Sequence, residues 1–168
     1  MLPLLLVYVA EYTINLGVVP TLLFPLAEMP VARFRDAFPL YGALYQAGVF
    51  VARSSLPLLR VRALLPPALL QLLNLLLLTA HALFPLAPSV HVLFAAVFWE
   101  GLLGGLVYVN TFAAIRDADA GPAREFALAA VTVADSAGIC AAGLIALALE
   151  PALCAWQVAH GRPWCREA

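Results

Sequence analysis

Lysine is absent from this 168-residue sequence, so all nine of its basic residues are arginine. Charge of either sign is scarce: 11% of the residues are charged, against about 25% in an average soluble domain. The net charge of −1 argues against a nucleic-acid partner, which would call for a clustered basic surface. There are only three cysteines, Cys140, Cys154 and Cys165, and none has the spacing of a metal or redox motif. They read as small, lipid-compatible residues, with a Cys154–Cys165 disulfide as the open alternative. His81, His91 and His160 stand apart from one another, no Ser–His–Asp arrangement can be assembled, and no glycine loop suits a phosphate. An enzyme, a metal centre and a cofactor site are therefore not expected. What is abundant is hydrocarbon: 64% of the residues are hydrophobic and the mean hydropathy is +0.96. One globule of this length cannot bury that much apolar surface, so the natural solvent is the lipid bilayer.

A membrane span needs about 20 mostly apolar residues, and five windows qualify: 2–26, 38–59, 63–84, 89–112 and 126–149. The fold class expected is an all-α membrane protein of about five transmembrane helices, one bundle over residues 1–150 with a short polar or interfacial tail at 151–168. The opening MLPLLLVYVAEYTINLG has no basic n-region and no small-residue cleavage site, so it reads as a span and not as a signal peptide. Pro66 and Pro67 suit the first turn of the third helix. Gly121 and Pro122 break the fourth helix from the fifth. Trp156 and Trp164 mark the tail as interfacial. Arginine placement sets the orientation: Arg53, Arg60, Arg62, Arg116 and Arg124 share one side, and Arg33, Arg35, Arg162 and Arg166 the other. The positive-inside rule then puts the first group and the N-terminus in the cytosol.

Carboxylates inside apolar runs cost roughly 2.5–3.5 kcal/mol at the bilayer centre, and face a bundle interior or a water-filled cavity. Glu11, Glu100 and Asp135 are three such residues. Helical periodicity puts Tyr8, Glu11, Tyr12 and Asn15 on one face of the first helix. On the fourth helix Glu100, Gly104 and Tyr108 share a face, beside a small-residue pair, Gly101 and Gly105. On the fifth, Thr132, Asp135, Ser136 and Gly143 line up, and the third carries Gln71 and Asn74. Either these groups line a polar cavity that meets a solute or carries protons, or they are hydrogen-bonded glue between helices. The glycines read as close packing. Arg53 is either an interfacial anchor or a gate residue pairing with a loop carboxylate, with Arg124 and Glu125 as candidate partners; Glu125 also suits a helix N-terminus.

The stretches YVAEYTINLG, LYQAGVFVARSSL, ALLQLLNLLLL, EGLLGGLVYVNTF and REFALAAVTVADSAGI, from Tyr8 to Leu149, resemble the battenin family of membrane proteins linked to neuronal ceroid lipofuscinosis. The resemblance implies a multi-pass protein of the lysosomal or vacuolar membrane with a fold similar to the major facilitator superfamily. It also implies that this chain is the C-terminal half, whose partner is the family's N-terminal helical bundle. It further implies a solute carrier supporting lysosomal efflux of glycerophosphodiesters, lysosomal pH and arginine homeostasis, so that a small anionic or basic solute is the expected ligand. The residues it points to are Glu11, Arg53, Glu100, Asn110, Arg124 and Asp135, with Asn15 and Tyr108 as further candidates for solute binding. The rival expectation is a non-transporting scaffold acting in lysosomal trafficking. The ending Cys165-Arg166-Glu167-Ala168 has a cysteine four from the end but lacks the aliphatic pair of a prenylation signal.

Overall fold

The structure of the protein is a computed structural model that describes residues 2–118 and 121–167. Five α-helices follow one another, α1 Leu2–Thr13, α2 Ala37–Ser54, α3 Leu65–Leu83, α4 Val90–Ala118 and α5 Pro122–Ala159, and no strand occurs among the described residues. Proline sets two of the starts, occupying the first turns of α3 and α5, where a missing N–H costs nothing. Gly121 caps α5 at a φ of +62°, which a side chain would disfavour. Arg33 grips both carboxylate oxygens of Asp36 just ahead of α2, at 2.9 and 3.0 Å. That hydrogen bonding holds the Asp36 carboxyl below the usual carboxylate range.

The helix that opens the chain is interrupted. α-Geometry ends at Thr13, a π-helical turn covers Ile14–Val18, and a 3-10 turn around Pro20 covers Val19–Thr21. The chain then leaves the helix, and Tyr41 pins it by donating its hydroxyl to the Leu22 carbonyl at 2.7 Å.

Two parallel pairs build the bundle. α2 lies along α4, with Tyr41 edge-on to Phe94 at 5.6 Å between ring centroids, Gly48 against the backbone of Phe98 and Leu102, and Ala52 against Gly105. α1 lies along α5, where Tyr8 meets Gly138 and Gly17 meets Ala146. α3 packs against α1 and α4. Of the α1 span 56% is buried, against 22% of α5, so α1 is the central post and α5 a peripheral one. Leu69, Leu73, Leu76, Phe126, Leu144 and Leu147 point outward, a collar suited to acyl chains.

Buried apolar residues form two clusters. One holds Ile14, Val18, Tyr41, Leu78, Val97 and Leu153; the other holds Leu4, Val7, Tyr8, Ala68, Val107 and Val131. Glu11, Gln71 and Glu100 fall between members of the two clusters on α1, α3 and α4. The buried polar groups therefore make a layer across the middle of the bundle.

Among the described residues, four helical segments are long and apolar enough to cross a membrane: Leu2–Thr21, Leu65–Leu83, Val90–Ala118 and Pro122–Ala159. The second expected window, 38–59, is the more polar α2, and it stops at Ser54. Residues 55–58 turn, and 59–64 are irregular, because Pro57 and the arginines around Val61 cannot prolong an apolar helix. The first window ends as helix at Thr21 and not at Leu26, where Pro20 tightens the turn. The fourth window extends six residues beyond 112, to Ala118.

The largest departure lies in the tail. It does not begin as a new segment at Pro151: α5 continues through Pro151 to Ala159, and Pro163–Arg166 adds one 3-10 turn. At 1.5 Å per residue, the 38 residues of α5 reach about 57 Å, nearly twice the hydrocarbon thickness. The tail folds back onto the bundle. Gln157 donates from Nε2 to the Thr21 and Ala82 carbonyls at 2.9 and 2.8 Å. Arg162 donates to the carbonyls of Ala82 and Leu83 at 3.1 and 2.6 Å, satisfying the orphan carbonyls at the end of α3. Trp164 stacks on Phe34.

A disulfide joins Cys154 to Cys165, so these two cysteines are a staple and not merely small apolar residues, and the Cys165 sulfur is engaged. Cys140 alone is a free thiol, and exposed. With 11 residues of separation, loop closure stabilises the fold-back by about 3 kcal/mol. Cys165→Ser is accordingly expected to raise amide hydrogen exchange across residues 161–167 on the order of a hundredfold. An unchanged exchange pattern would mean that Arg162 and Gln157 hold the tail without the staple.

Candidate functional site

The mid-bundle layer brings together side chains from four helices, α1 to α4. Glu11 of α1 is 4% exposed and Glu100 of α4 is 0% exposed, so both carboxyls are withdrawn from lipid. Asn15, one turn beyond Glu11 on the π-helical segment, donates from Nδ2 to Glu100 Oε1 at 3.0 Å and to the Glu11 carbonyl at 3.2 Å. The Tyr45 hydroxyl of α2 donates to Glu11 Oε1. Glu11 can reach this position because Gly104 has no side chain: a Cβ there would run into its carboxyl group. Glu100 and Gly104 are one turn apart on the same face of α4, so the two carboxyls are neighbours.

One oxygen of each, Glu11 Oε2 and Glu100 Oε2, has no hydrogen-bond partner among the described residues. Gln71, at 0% exposure, likewise leaves its amide nitrogen and oxygen unpaired. Buried polar groups are normally satisfied. Unused capacity in a layer of carboxyl and amide groups is what a site that exchanges partners would hold in reserve.

A groove of about 290 Å³ between α1 and α2 leads to this layer, lined by Tyr12, Asn15, Leu16, Gly42, Tyr45 and Gln46. Asn15 and Tyr45 belong both to the groove wall and to the carboxyl cluster, so they separate the buried carboxyls from whatever enters.

Toward the arginine-rich end lies an aromatic patch. Tyr8 stacks on Tyr12 at 5.7 Å between centroids and meets Tyr108 at 6.4 Å, and Tyr108 packs on Phe112 at 4.6 Å. The Arg53 guanidinium sits 4.2 Å over the Tyr108 ring, a cation–π contact. Arg53 and Asp135 are both within electrostatic reach of Tyr8 and Glu11.

The structure thus brings together Glu11, Asn15 and Glu100, and sets Tyr108, Arg53 and Asp135 beside them. Asp135 is only half-buried and does not enter the carboxyl pair, and Thr132 and Ser136 are exposed, because α5 is the peripheral helix. Arg53 is not paired with Arg124–Glu125; its partner is an aromatic ring. Arg124 donates to the Arg116 carbonyl at 3.0 Å, and Glu125 occupies the first turn of α5, where a negative charge meets the positive helix end. Asp119, in the expected loop, lies outside the described residues.

Asn110 is absent from the cluster altogether. Its Oδ1 accepts from the Val61 amide at 2.8 Å and its Nδ2 donates to the Leu106 carbonyl at 2.9 Å, tying the 59–64 loop to α4. Asn110→Ala should cost about 1 kcal/mol and appear as faster proteolysis between Leu59 and Leu64, whereas loss at the carboxyl cluster would leave that loop protected.

Gly101, Gly104 and Gly105 divide by face. Gly101 lies on the Tyr45 carbonyl, Gly105 on Val49 and Ala52, and Gly104 on Glu11. Sequence reasoning missed Tyr45 and Gly48, although Tyr41, Tyr45, Gly48 and Ala52 recur at helical spacing and mark the face that α2 turns to α4.

Helices of spanning length, an apolar collar and a polar layer sealed inside define a polytopic all-helical membrane protein. The chain belongs to the CLN3 protein family, the battenin family, whose family model matches residues 1–156. It is 61% identical over 166 residues to Protein btn1 of Aspergillus fumigatus, covering 99% of this chain and 36% of that protein. It is 59% identical over 166 residues to Protein btn-1 of Neurospora crassa, with 99% and 36% covered. Against Protein BTN1 of Yarrowia lipolytica it is 53% identical over 165 residues, with 98% and 42% covered. The chain spans less than half the length of these relatives. No solved structure matches it.

Proposed function

We propose that the chain forms one wall of a solute carrier of the lysosomal or vacuolar membrane, and that Glu11 and Glu100 couple solute movement to protons. The observation that carries this reading is the sealed carboxyl pair beside a π-helical interruption of α1, at the inner end of a groove. Transporters place solute and coupling-ion sites near the bilayer midplane on broken helices, and π-turns concentrate at functional positions. The second half of the cleft is the family's other helical bundle. The solute class drawn from the family resemblance is a glycerophosphodiester leaving the lysosome, with lysosomal pH and arginine homeostasis linked to it. Arg53, Asn15 and the tyrosines supply the cationic and hydrogen-bonding groups that an anionic solute needs. A Cys154–Cys165 disulfide belongs in an oxidising compartment, which supports a lumenal tail and a cytosolic Arg53–Arg60–Arg62 end. The reading includes no enzymatic step.

The sealing of Glu100 favours a second reading, a trafficking scaffold in which the polar layer only holds helices together. A chimera in which this chain replaces the region it matches in Protein btn1 of Aspergillus fumigatus, reconstituted in liposomes, separates the two. Glycerophosphodiester flux responding to a pH gradient is the result expected of a carrier. No flux, with partner capture dependent on the exposed loops, is the result that replaces it with the scaffold.

A further inference from the structure

A second concave site lies at the arginine-rich end, away from the carboxyl layer. It is a cavity of about 540 Å³ between the 59–64 loop and the last turns of α4, lined by Arg60, Val61, Arg62, Asn110, Asp117 and three alanines of α4. Its size is within the usual range of ligand sites. Its two walls differ in chemistry. The α4 wall is Ala113, Ala114 and Ala118 with Asn110 and Asp117 among them, and the loop wall carries two guanidinium groups.

The loop is not free to collapse. Val61, between the two arginines, has its amide held by Asn110 Oδ1 at 2.8 Å. Arg60 is anchored by Asp117 at 2.6 Å, and Arg116 shares the same carboxylate at 3.1 Å. Arg62 is exposed and has no hydrogen bond or ion pair among the described residues. Among the described residues, Arg60, Arg62 and Arg116 against Asp117 give the cavity and its rim a surplus of two positive charges. A guanidinium presents a planar fork of donors that matches a phosphate.

We propose that this cavity binds the phosphorylated headgroup of an anionic lipid in the cytosolic leaflet. The placement is at the boundary where α4 leaves the apolar collar and its first arginine appears, so a headgroup there could keep its acyl chains in the bilayer. Basic pockets between spanning helices on the cytosolic side suit such headgroups. The phosphate meets Arg62 first and shares Arg60 with Asp117, while glycerol and ester groups lie on the alanine wall. The site is independent of the solute and the coupling role proposed above, and shares with that reading only the orientation.

The test uses the chain in nanodiscs of phosphatidylcholine with and without a phosphatidylinositol monophosphate, with retained lipid counted by native mass spectrometry. Selective retention of the phosphoinositide is expected, falling about fivefold in Arg62→Ala, since each arginine at a membrane surface is worth roughly one such factor. Arg166→Ala, at the opposite end, should retain it in full, and equal thermal unfolding of the two variants shows that both are folded. Retention indifferent to Arg62, or equal loss from Arg166→Ala, overturns the site. Equal occupancy by soluble inositol phosphate overturns the lipid as its source.

Discussion

Gly101→Leu is expected to leave no folded bundle. A Cβ at this position would meet the Tyr45 carbonyl, with the Val49 amide 3.0 Å away. Both obstacles are backbone, which no rotamer change can relieve, so α2 would have to back away from α4 along the seam that also contains Gly48 and Gly105. Overpacking a fitted core costs about 1–3 kcal/mol and more where the surroundings cannot yield. Separation would also take Tyr45 from Glu11, leaving a buried carboxyl with one partner fewer. The expected readout is loss of a monodisperse peak on size exclusion and of a cooperative thermal transition in detergent. Gly143→Ala is the matched control. A Cβ there meets nothing within 4 Å, and alanine is the better helix former by about 1 kcal/mol, so its transition should be unchanged or higher. A stable, cooperative Gly101→Leu protein would show that the two helices are not in register as described.

Glu100→Gln is expected to separate folding from coupling. Glutamine has the same shape and retains an oxygen to accept from Asn15, so the α1–α4 contact survives, but it cannot take up or release a proton. In proteoliposomes carrying the btn1 chimera, the acceleration of glycerophosphodiester flux by a pH gradient should fall at least tenfold, within the usual reach of a general acid–base group. Flux without a gradient should change far less. Glu11→Gln should act in the same direction and also weaken the fold, because Glu11 is held by Tyr45 while it rests on Gly104. Unchanged rate and pH dependence in Glu100→Gln would remove this residue from coupling and leave it a packing role.

Much of the bundle is legible in the sequence because composition dictates it: leucine runs of spanning length have no alternative in water or in lipid. The faces of α1 and α4 follow from helical periodicity alone, and these put Glu11 with Asn15 and Glu100 with Gly104. The pairing of those faces is not local information. Tyr45 reaches Glu11 only because Gly48 and Gly101 let α2 come close to α4, which a reading of single helices does not reveal. The π-helical turn has no composition signal, since INLGV suits an ordinary helix. The window 126–149 stops short of Pro151, yet α5 continues past this exposed proline. Asn110 is singled out by the family resemblance, which does not show that its side-chain oxygen accepts from the backbone of a neighbouring loop.

The glycine seam also decides which parts of the bundle can move. Backbone-to-backbone contact at Gly48 and Gly101, with Gly105 closed on Val49 and Ala52, fits α2 to α4 as one plank, with little side-chain layer to act as a bearing at the height of Glu100. α1 carries a change of helical pitch at the height of Asn15. Any stroke that parts Glu11 from Glu100 must therefore be taken by α1 swivelling at its wide turn, while the plank stands still.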